Sequence, residues 1–375
     1  MFSTRATILL GAVAFVAGAV VTLAIRPPGS ASPQVEAALS ESGVAERIRW
    51  RVPLSAPRNL PGSGETPVWM AEAMLDATGG GIRFDLYDPG ELAPAFAIGD
   101  AVRDRKVQAG YTWLGYDQGK IPSSPLFGAT PFGLDPWAYI GWWFFGDGET
   151  TGQQLAEAIY AGHNTMPVFC GISGPETAGW FREPLTSSDD LNGLKIRFAG
   201  LGGRVMERVG ASITMLPAGE IFQALETGVI DATEFAQPIT DQALGFNRIA
   251  KYNYFPGWHQ PFSATHLIVN LELWNDLADV DQELIRSVCM ASVARSLGLS
   301  EYLQGPVVAS FDDIGVTASY MSDDLLQTLK EAAIAVLDEE AAKDADFKTV
   351  LDSQRAFQAL NREWRRLAYL PKDFK

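Results

Sequence analysis

Residues 191–198 read Leu-Asn-Gly-Leu-Lys-Ile-Arg-Phe, and residues 217–235 read Pro-Ala-Gly-Glu-Ile-Phe-Gln-Ala-Leu-Glu-Thr-Gly-Val-Ile-Asp-Ala-Thr-Glu-Phe. Successive side chains of a strand point to opposite faces. A strand over 194–198 therefore puts Lys195 and Arg197 on one face, and Leu194, Ile196 and Phe198 on the other. A glycine-rich turn, Gly200-Leu201-Gly202-Gly203, follows directly. A guanidinium at a strand end beside such a turn is placed to grip a carboxylate with parallel hydrogen bonds. The plainer reading is an exposed arginine in a surface ion pair, and spacing alone leaves both open.

Working outward, the pattern predicts a short helix over 202–209, a strand over 212–216, a helix from Pro217 to about Thr227 and a strand over 231–235. An earlier unit has the same form. Alternation predicts strands over 48–52 and 82–87, with a helix over 66–77 ended by Gly79-Gly80-Gly81. Strand–helix–strand at this spacing predicts βαβ units and a mostly parallel sheet. No helical period fits 108–143, which carries Tyr111, Trp113, Tyr116, Phe127, Phe132, Trp137, Tyr139, Trp142 and Trp143. That stretch is read as loops and short strands lining one surface. A helix over 153–161 and a buried strand over 166–172 follow, and the last third is helical over 281–297 and 322–367. The expectation is an α/β fold of two lobes with a ligand cleft between them and a long C-terminal helical segment. Lobe I spans 46–172, completed by part of 262–320; lobe II spans 173–261; the C-terminal helical segment spans 322–375.

Composition narrows the function. The 375 residues suffice for two domains, and 47% hydrophobic content supports a sizeable core. With 45 acidic against 29 basic residues the formal net charge is −16, which excludes a phosphate-neutralising nucleic-acid binder. An anionic ligand would have to be held by a few local cations. His163, His259 and His266 are the only histidines, and none sits in a Gly-x-Ser-x-Gly or His-Glu-x-x-His pattern. The turn at 200–203 lacks the Gly-Lys-Ser/Thr ending of a phosphate loop. Cys170 and Cys289 are the only cysteines, compatible with one disulfide or with two buried thiols. Met1–Arg5 is a short positive region, Ala6–Ile25 is uncharged, and residues 29–32 are small. The segment 1–32 reads as an export signal, cleaved or retained as an anchor.

The run Asp190-Leu191-Asn192-Gly193-Leu194-Lys195-Ile196-Arg197, the glycine-rich turn and 217–234 together resemble the substrate-binding subunit of TRAP (tripartite ATP-independent periplasmic) transporters. The resemblance runs from about Trp50 to Leu360. Tyr252-Asn253-Tyr254-Phe255-Pro256-Gly257-Trp258 is similar to the branch that binds 2-oxo acids and related 2-hydroxy acids. The resemblance implies a periplasmic receptor, not an enzyme, that captures a small organic acid anion and passes it to membrane permease subunits. It puts the carboxylate-clamping arginine at Arg197. It also implies a cation, sodium or calcium, bridging protein and substrate. The ligands would be Glu176, Glu234, the Phe235 carbonyl and Gln260, with Glu176 and Phe235 also beside the substrate.

Two positions depart from the branch: Glu176 stands where it typically has Gln, and Gln260 where it has Glu. The number of oxygen donors and the acidic count are unchanged, so a hard cation remains chemically reasonable. Relatives for dicarboxylates or sialic acid carry a second arginine before the clamp. The stretch 167–181 has no Arg or Lys, and Arg182 lies beyond Gly179-Trp180-Phe181, so a monocarboxylate with an apolar tail is expected. Tyr116 and Trp258 are the expected pocket walls. The resemblance further implies a homodimer through the C-terminal helix. The alternative reading is an exported enzyme acting on small carboxylic acids.

Overall fold

The computed structural model describes residues 46–368 and Leu370, so the export segment expected over 1–32 lies outside the described residues. Among the described residues no helix is long and apolar enough to cross a membrane.

Strand β1 (Ile48–Pro53) buries Trp50 and Val52 and exposes Arg49 and Arg51, as its alternation requires. Helix α1 (Glu65–Ala77) leads to β2 (Ile82–Tyr87), which pairs parallel to β1 with Trp50 opposite and stacked on Phe84. After α2 (Ile98–Arg103), β3 (Ala109–Trp113) joins the edge of β1 through a bridge between Leu54 and Tyr111.

The aromatic stretch departs from its reading as surface loops. Helix α3 (Pro136–Phe145) forms there, and Phe127, Tyr139, Trp142 and Trp143 are buried in the first core. The helix is apolar on every side, so it has no polar face to mark a 3.6-residue period. Its boundaries were nonetheless written locally. The Asp135 side chain accepts from the Ala138 N–H, Pro136 occupies the first turn, and Gly146 ends it in a positive-φ conformation.

Helix α4 (Gly152–Ala161) leads to β4 (Thr165–Ile172), every residue of which is buried. The chain then enters a second sheet with β5 (Gly179–Phe181), β6 (Lys195–Arg197), α5 (Gly200–Arg208), β7 (Ser212–Thr214), α6 (Ala218–Glu226), β8 (Ala232–Thr233), α7 (Pro238–Ala243), α8 (Phe246–Ile249) and β9 (Tyr252–Phe255). It returns through β10 (Ala264–Asn270), which lies between β3 and β4 and antiparallel to both. After α9 (Leu271–Asn275), helix α10 (Asp279–Ala309) runs 31 residues, about 46 Å at 1.5 Å per residue. It extends well past the predicted end near 297. One end packs Ile285, Val288 and Cys289 into the first body, and the other packs Val307 with Phe311 and Trp180 into the second. β11 (Thr317–Tyr320) completes the second sheet, in the order β11-β9-β5-β8-β6-β7.

Cys170 of β4 and Cys289 of α10 form a disulfide, which settles the alternative left open by their count. The C-terminal segment is two helices, α11 (Asp323–Lys343) and α12 (Ala345–Ala368), separated at Asp344, whose side chain accepts from the Phe347 N–H. α11 packs Leu325, Leu329 and Val336 on the second body, and α12 packs Phe347, Val350 and Leu351 on the first. Beyond that, α12 turns Leu360, Trp364 and Leu367 outward, each about two-thirds exposed or more (Trp364 67%).

Candidate functional site

The cleft lies where the two bodies meet. Leu54, Thr66, Trp113 and Tyr116 face it from the first body, and Glu176, Arg197, Glu234, Phe235 and Gln260 from the second and the crossing segments. It is held closed at its rim, where the Thr240 hydroxyl of α7 donates to the Pro61 carbonyl at 2.8 Å. Gly62 takes φ +81 there, and a Cβ on it would lie 2.6 Å from Thr240 Oγ1. One crossing is pinned twice by α10. Ser296 Oγ accepts from the Ile172 N–H at 2.9 Å, and Ser300 Oγ accepts from the Gly174 N–H at 2.7 Å.

Arg197 stands at the end of β6, where the strand delivers it into the cleft while Lys195 stays exposed. Its side chain is 1% exposed, so the surface ion-pair reading is excluded. Nη1 donates to both the side-chain Oε1 (2.8 Å) and the backbone oxygen (2.7 Å) of Glu234, and Nε donates to the Leu216 carbonyl at 3.1 Å. A guanidinium has five N–H donors, so these three bonds leave the two on Nη2. The Phe235 ring lies under the guanidinium at 5.2 Å, adding a cation–π contact. The Tyr116 hydroxyl sits beside the same group, and burial pushes its pKa up, so it is a neutral donor.

Glu234 Oε1 also accepts from the Ala199 N–H at 2.6 Å, while Oε2 has no partner. Glu176 is 2% exposed and its Oε2 likewise has no partner. Burial, the Glu234 charge and Asp241 raise the Glu176 carboxyl well above the ordinary range. Burial also raises Glu234, against the pull of Arg197. Asp241, bonded by the Trp180 indole at 2.9 Å, is pushed up by burial to about 7. Gln260 is buried and reaches Ser263 only at 3.5 Å. Among the described residues no donor bonds the Phe235 carbonyl. Gly257 lets the chain pass against Glu176, since a Cβ there would meet the Glu176 carbonyl at 2.4 Å.

The donor chemistry therefore fits a cation. Two buried carboxylates face one fixed guanidinium, with unpartnered oxygens on both.

Trp258 is placed differently from its expected role as a pocket wall. It is buried in the core of the second body between Phe132 and Phe198, because the Phe255–Trp258 turn directs the indole into that core. His259, which sequence reasoning weighed only as a catalytic base, lies against Glu176 (3.5 Å) and Glu234 (3.8 Å). Burial lowers its pKa to about 3, so it is a neutral imidazole. Its place in the chain, between two residues already singled out, was the available signal.

A family model described as bacterial extracellular solute-binding protein, family 7 (DctP), matches residues 56–344. A monocarboxylate 2-oxoacid-binding periplasmic protein of Nostoc sp. is 33% identical over 320 residues, 85% of this chain and 86% of that one. A TRAP transporter solute-binding protein of Bordetella bronchiseptica superposes with a TM-score of 0.83 at 27% identity, covering 86% of this chain and 95% of that one. It is a mixed-occupancy dimer with copurified calcium and picolinate in one site and the other site apo. One from Pseudoalteromonas atlantica, with bound sodium and pyruvate, gives 0.83 at 26% identity, covering 88% and 100%.

Proposed function

We propose, from the premise that this chain belongs to family 7 of the bacterial extracellular solute-binding proteins, that it captures a small 2-oxo or 2-hydroxy monocarboxylate with the help of a cation. The chain is a TRAP solute-binding protein, an extracytoplasmic receptor that works with membrane permease subunits, and not an enzyme. We place it in the periplasm, with lobes at 46–172 (plus part of 262–320) and 173–261.

One observation carries the substrate reading: among the described residues lining the cleft, Arg197 is the sole Arg or Lys, and it already faces two buried carboxylates. An incoming anion would raise the negative excess unless a cation accompanied it. A single clamp suits one carboxylate rather than two. In this reading the substrate carboxylate takes the two N–H groups of Arg197 Nη2 and the Tyr116 hydroxyl. The Phe235 ring holds the guanidinium flat, and Glu176, Glu234, the Phe235 carbonyl and Gln260 hold the cation. When bound, that cation supplies a positive charge to the substrate's carboxylate and oxo or hydroxy oxygens. The relatives that bind a 2-oxoacid, picolinate with calcium, and pyruvate with sodium support the class.

We also propose a homodimer through the distal part of α12. Its exposed Leu360, Trp364 and Leu367, at i, i+4 and i+7, form an apolar stripe that none of the described residues covers.

A thermal-shift panel tests the function. Ligand bound to the folded state alone stabilises it by about 2.7 kcal/mol at a hundredfold excess over Kd. Shifts confined to 2-oxo and 2-hydroxy monocarboxylates are expected; shifts only with dicarboxylates or sugars would overturn the substrate class.

A further inference from the structure

The cation site proposed above is built from oxygens alone, but the structure adds a nitrogen. His259 Nε2 lies 3.5 Å from Glu176 Oε2 and 3.8 Å from Glu234 Oε2, and each of the three side chains offers a donor atom within 4.8 Å of those of the other two. Glu176, Glu234 and His259 are 2%, 1% and 1% exposed, and none of the three atoms has a hydrogen-bond partner. Buried polar atoms are ordinarily paired. Here three of them, from three separate segments, converge without bonding to one another.

A metal ion at the point of convergence would satisfy all three at once. With about 2.1 Å to each donor, separations of 3.5 and 3.8 Å correspond to donor–metal–donor angles of roughly 110–130°, near the tetrahedral range. The imidazole is fixed in place by Phe198, edge-on at 4.7 Å, and by Trp258 at 5.5 Å.

We propose that His259 is a direct ligand of the cation, completing a set of one imidazole and two carboxylates that selects an imidazole-binding divalent ion such as Zn²⁺ over Na⁺ or Ca²⁺. This rests on the reading that a cation assists binding, and deepens it. Sodium and calcium take oxygen donors, whereas neutral imidazole suits zinc and its first-row neighbours. Charge points the same way. A divalent ion neutralises Glu176 and Glu234, leaving the Arg197 charge to meet a monocarboxylate. His259 does not line the cleft, while Glu176, Glu234 and Gln260 do. The imidazole therefore reaches the ion from the side away from the ligand.

The test uses the full chain, stripped with a chelator in sodium-free buffer and titrated with Zn²⁺, Ca²⁺ or Na⁺ alone, with no organic acid present. Wild type is compared with His259→Gln and Glu176→Gln. The expected result is one Zn²⁺ per chain, bound about a hundredfold more tightly than Ca²⁺. His259→Gln should weaken Zn²⁺ by about tenfold to a hundredfold and leave Ca²⁺ within about threefold. Glu176→Gln should weaken both. Zinc-edge X-ray absorption of the wild type, which does not depend on any variant folding, should show a nitrogen ligand. An all-oxygen spectrum, or a His259→Gln chain with unchanged Zn²⁺ affinity, overturns the proposal. Binding of Ca²⁺ or Na⁺ with no preference for Zn²⁺ removes His259 and leaves the cation reading standing. Absence of any metal binding overturns the proposal, and the cation reading then stands or falls on the same titration with pyruvate present.

Discussion

Arg197 and Glu234 are bonded twice through one nitrogen: Nη1 donates to the side-chain oxygen at 2.8 Å and to the backbone oxygen at 2.7 Å. Both side chains are 1% exposed, so the pair is sealed from water. The guanidinium is thus built into the cleft floor before any ligand arrives, and only Nη2 is left to offer.

Removing Arg197 should therefore damage binding and stability together. Breaking a buried pair from one side costs about 3–5 kcal/mol, because the remaining charge stays buried and unpaired. Arg197→Ala should lose at least about a hundredfold in ligand affinity by calorimetry, and its denaturation midpoint should fall. Arg197→Lys should recover part of the stability but little of the affinity, since an ammonium cannot reproduce three bonds in a planar fork. Unchanged affinity in both variants would remove the clamp from the site.

Closure should be adjustable without touching the ligand. Gly62 has φ +81, and an alanine Cβ would lie 2.6 Å from Thr240 Oγ1 across the rim. Left-handed backbone costs a non-glycine residue about 1–2 kcal/mol, and the contact across the rim exists only when the lobes are together. Gly62→Ala should weaken ligand binding by about fivefold to tenfold while increasing the radius of gyration in solution scattering. Equal affinity and equal scattering profiles would show that this contact does not govern closure.

The disulfide between Cys170 and Cys289 ties a crossing strand to the helix that spans both bodies. A cross-link closing so long a loop restricts the unfolded chain, and its loss costs about 2–5 kcal/mol. The double variant Cys170→Ala, Cys289→Ala should unfold at lower denaturant yet keep its ligand preference. A preserved midpoint would mean that packing of β4 on α10 suffices.

Asp117 supplies a pH signature remote from the cleft. Burial raises its carboxyl to about 6, with the Tyr160 hydroxyl at 3.5 Å. The folded state keeps its proton where the unfolded chain has already lost it. This group's contribution is therefore complete below about pH 4 and disappears as pH rises through about 6, a loss on the order of 2–3 kcal/mol. Asp117→Asn should flatten the fall in melting temperature between pH 4 and 6; an unchanged slope would assign it to other groups.

Much of this was legible before folding. The alternation over 48–52 and 82–87 places β1 and β2, since one face of each is buried. The end of β6 beside a glycine-rich turn made Arg197 a candidate, and the resemblance gave it the clamp and pointed to Glu176, Glu234, Phe235 and Gln260, all of which reach one cleft. What escaped depended on relations between distant segments. α3 was hidden by uniform apolarity, and the division at Asp344 by continuous helical propensity on both sides. Trp258 and His259 are neighbours that turn opposite ways, one into the core and one toward Glu176, and no periodicity in a turn encodes that choice.

The most direct test is a calorimetric titration of pyruvate into the chelator-treated chain in sodium-free buffer, repeated after sodium or a divalent cation is restored. The expected result is saturable binding with the cation present and a loss of about tenfold or more without it. Equal affinity in both titrations would contradict the cation-assisted site, and would leave Glu176 and Glu234 to be neutralised by protons instead.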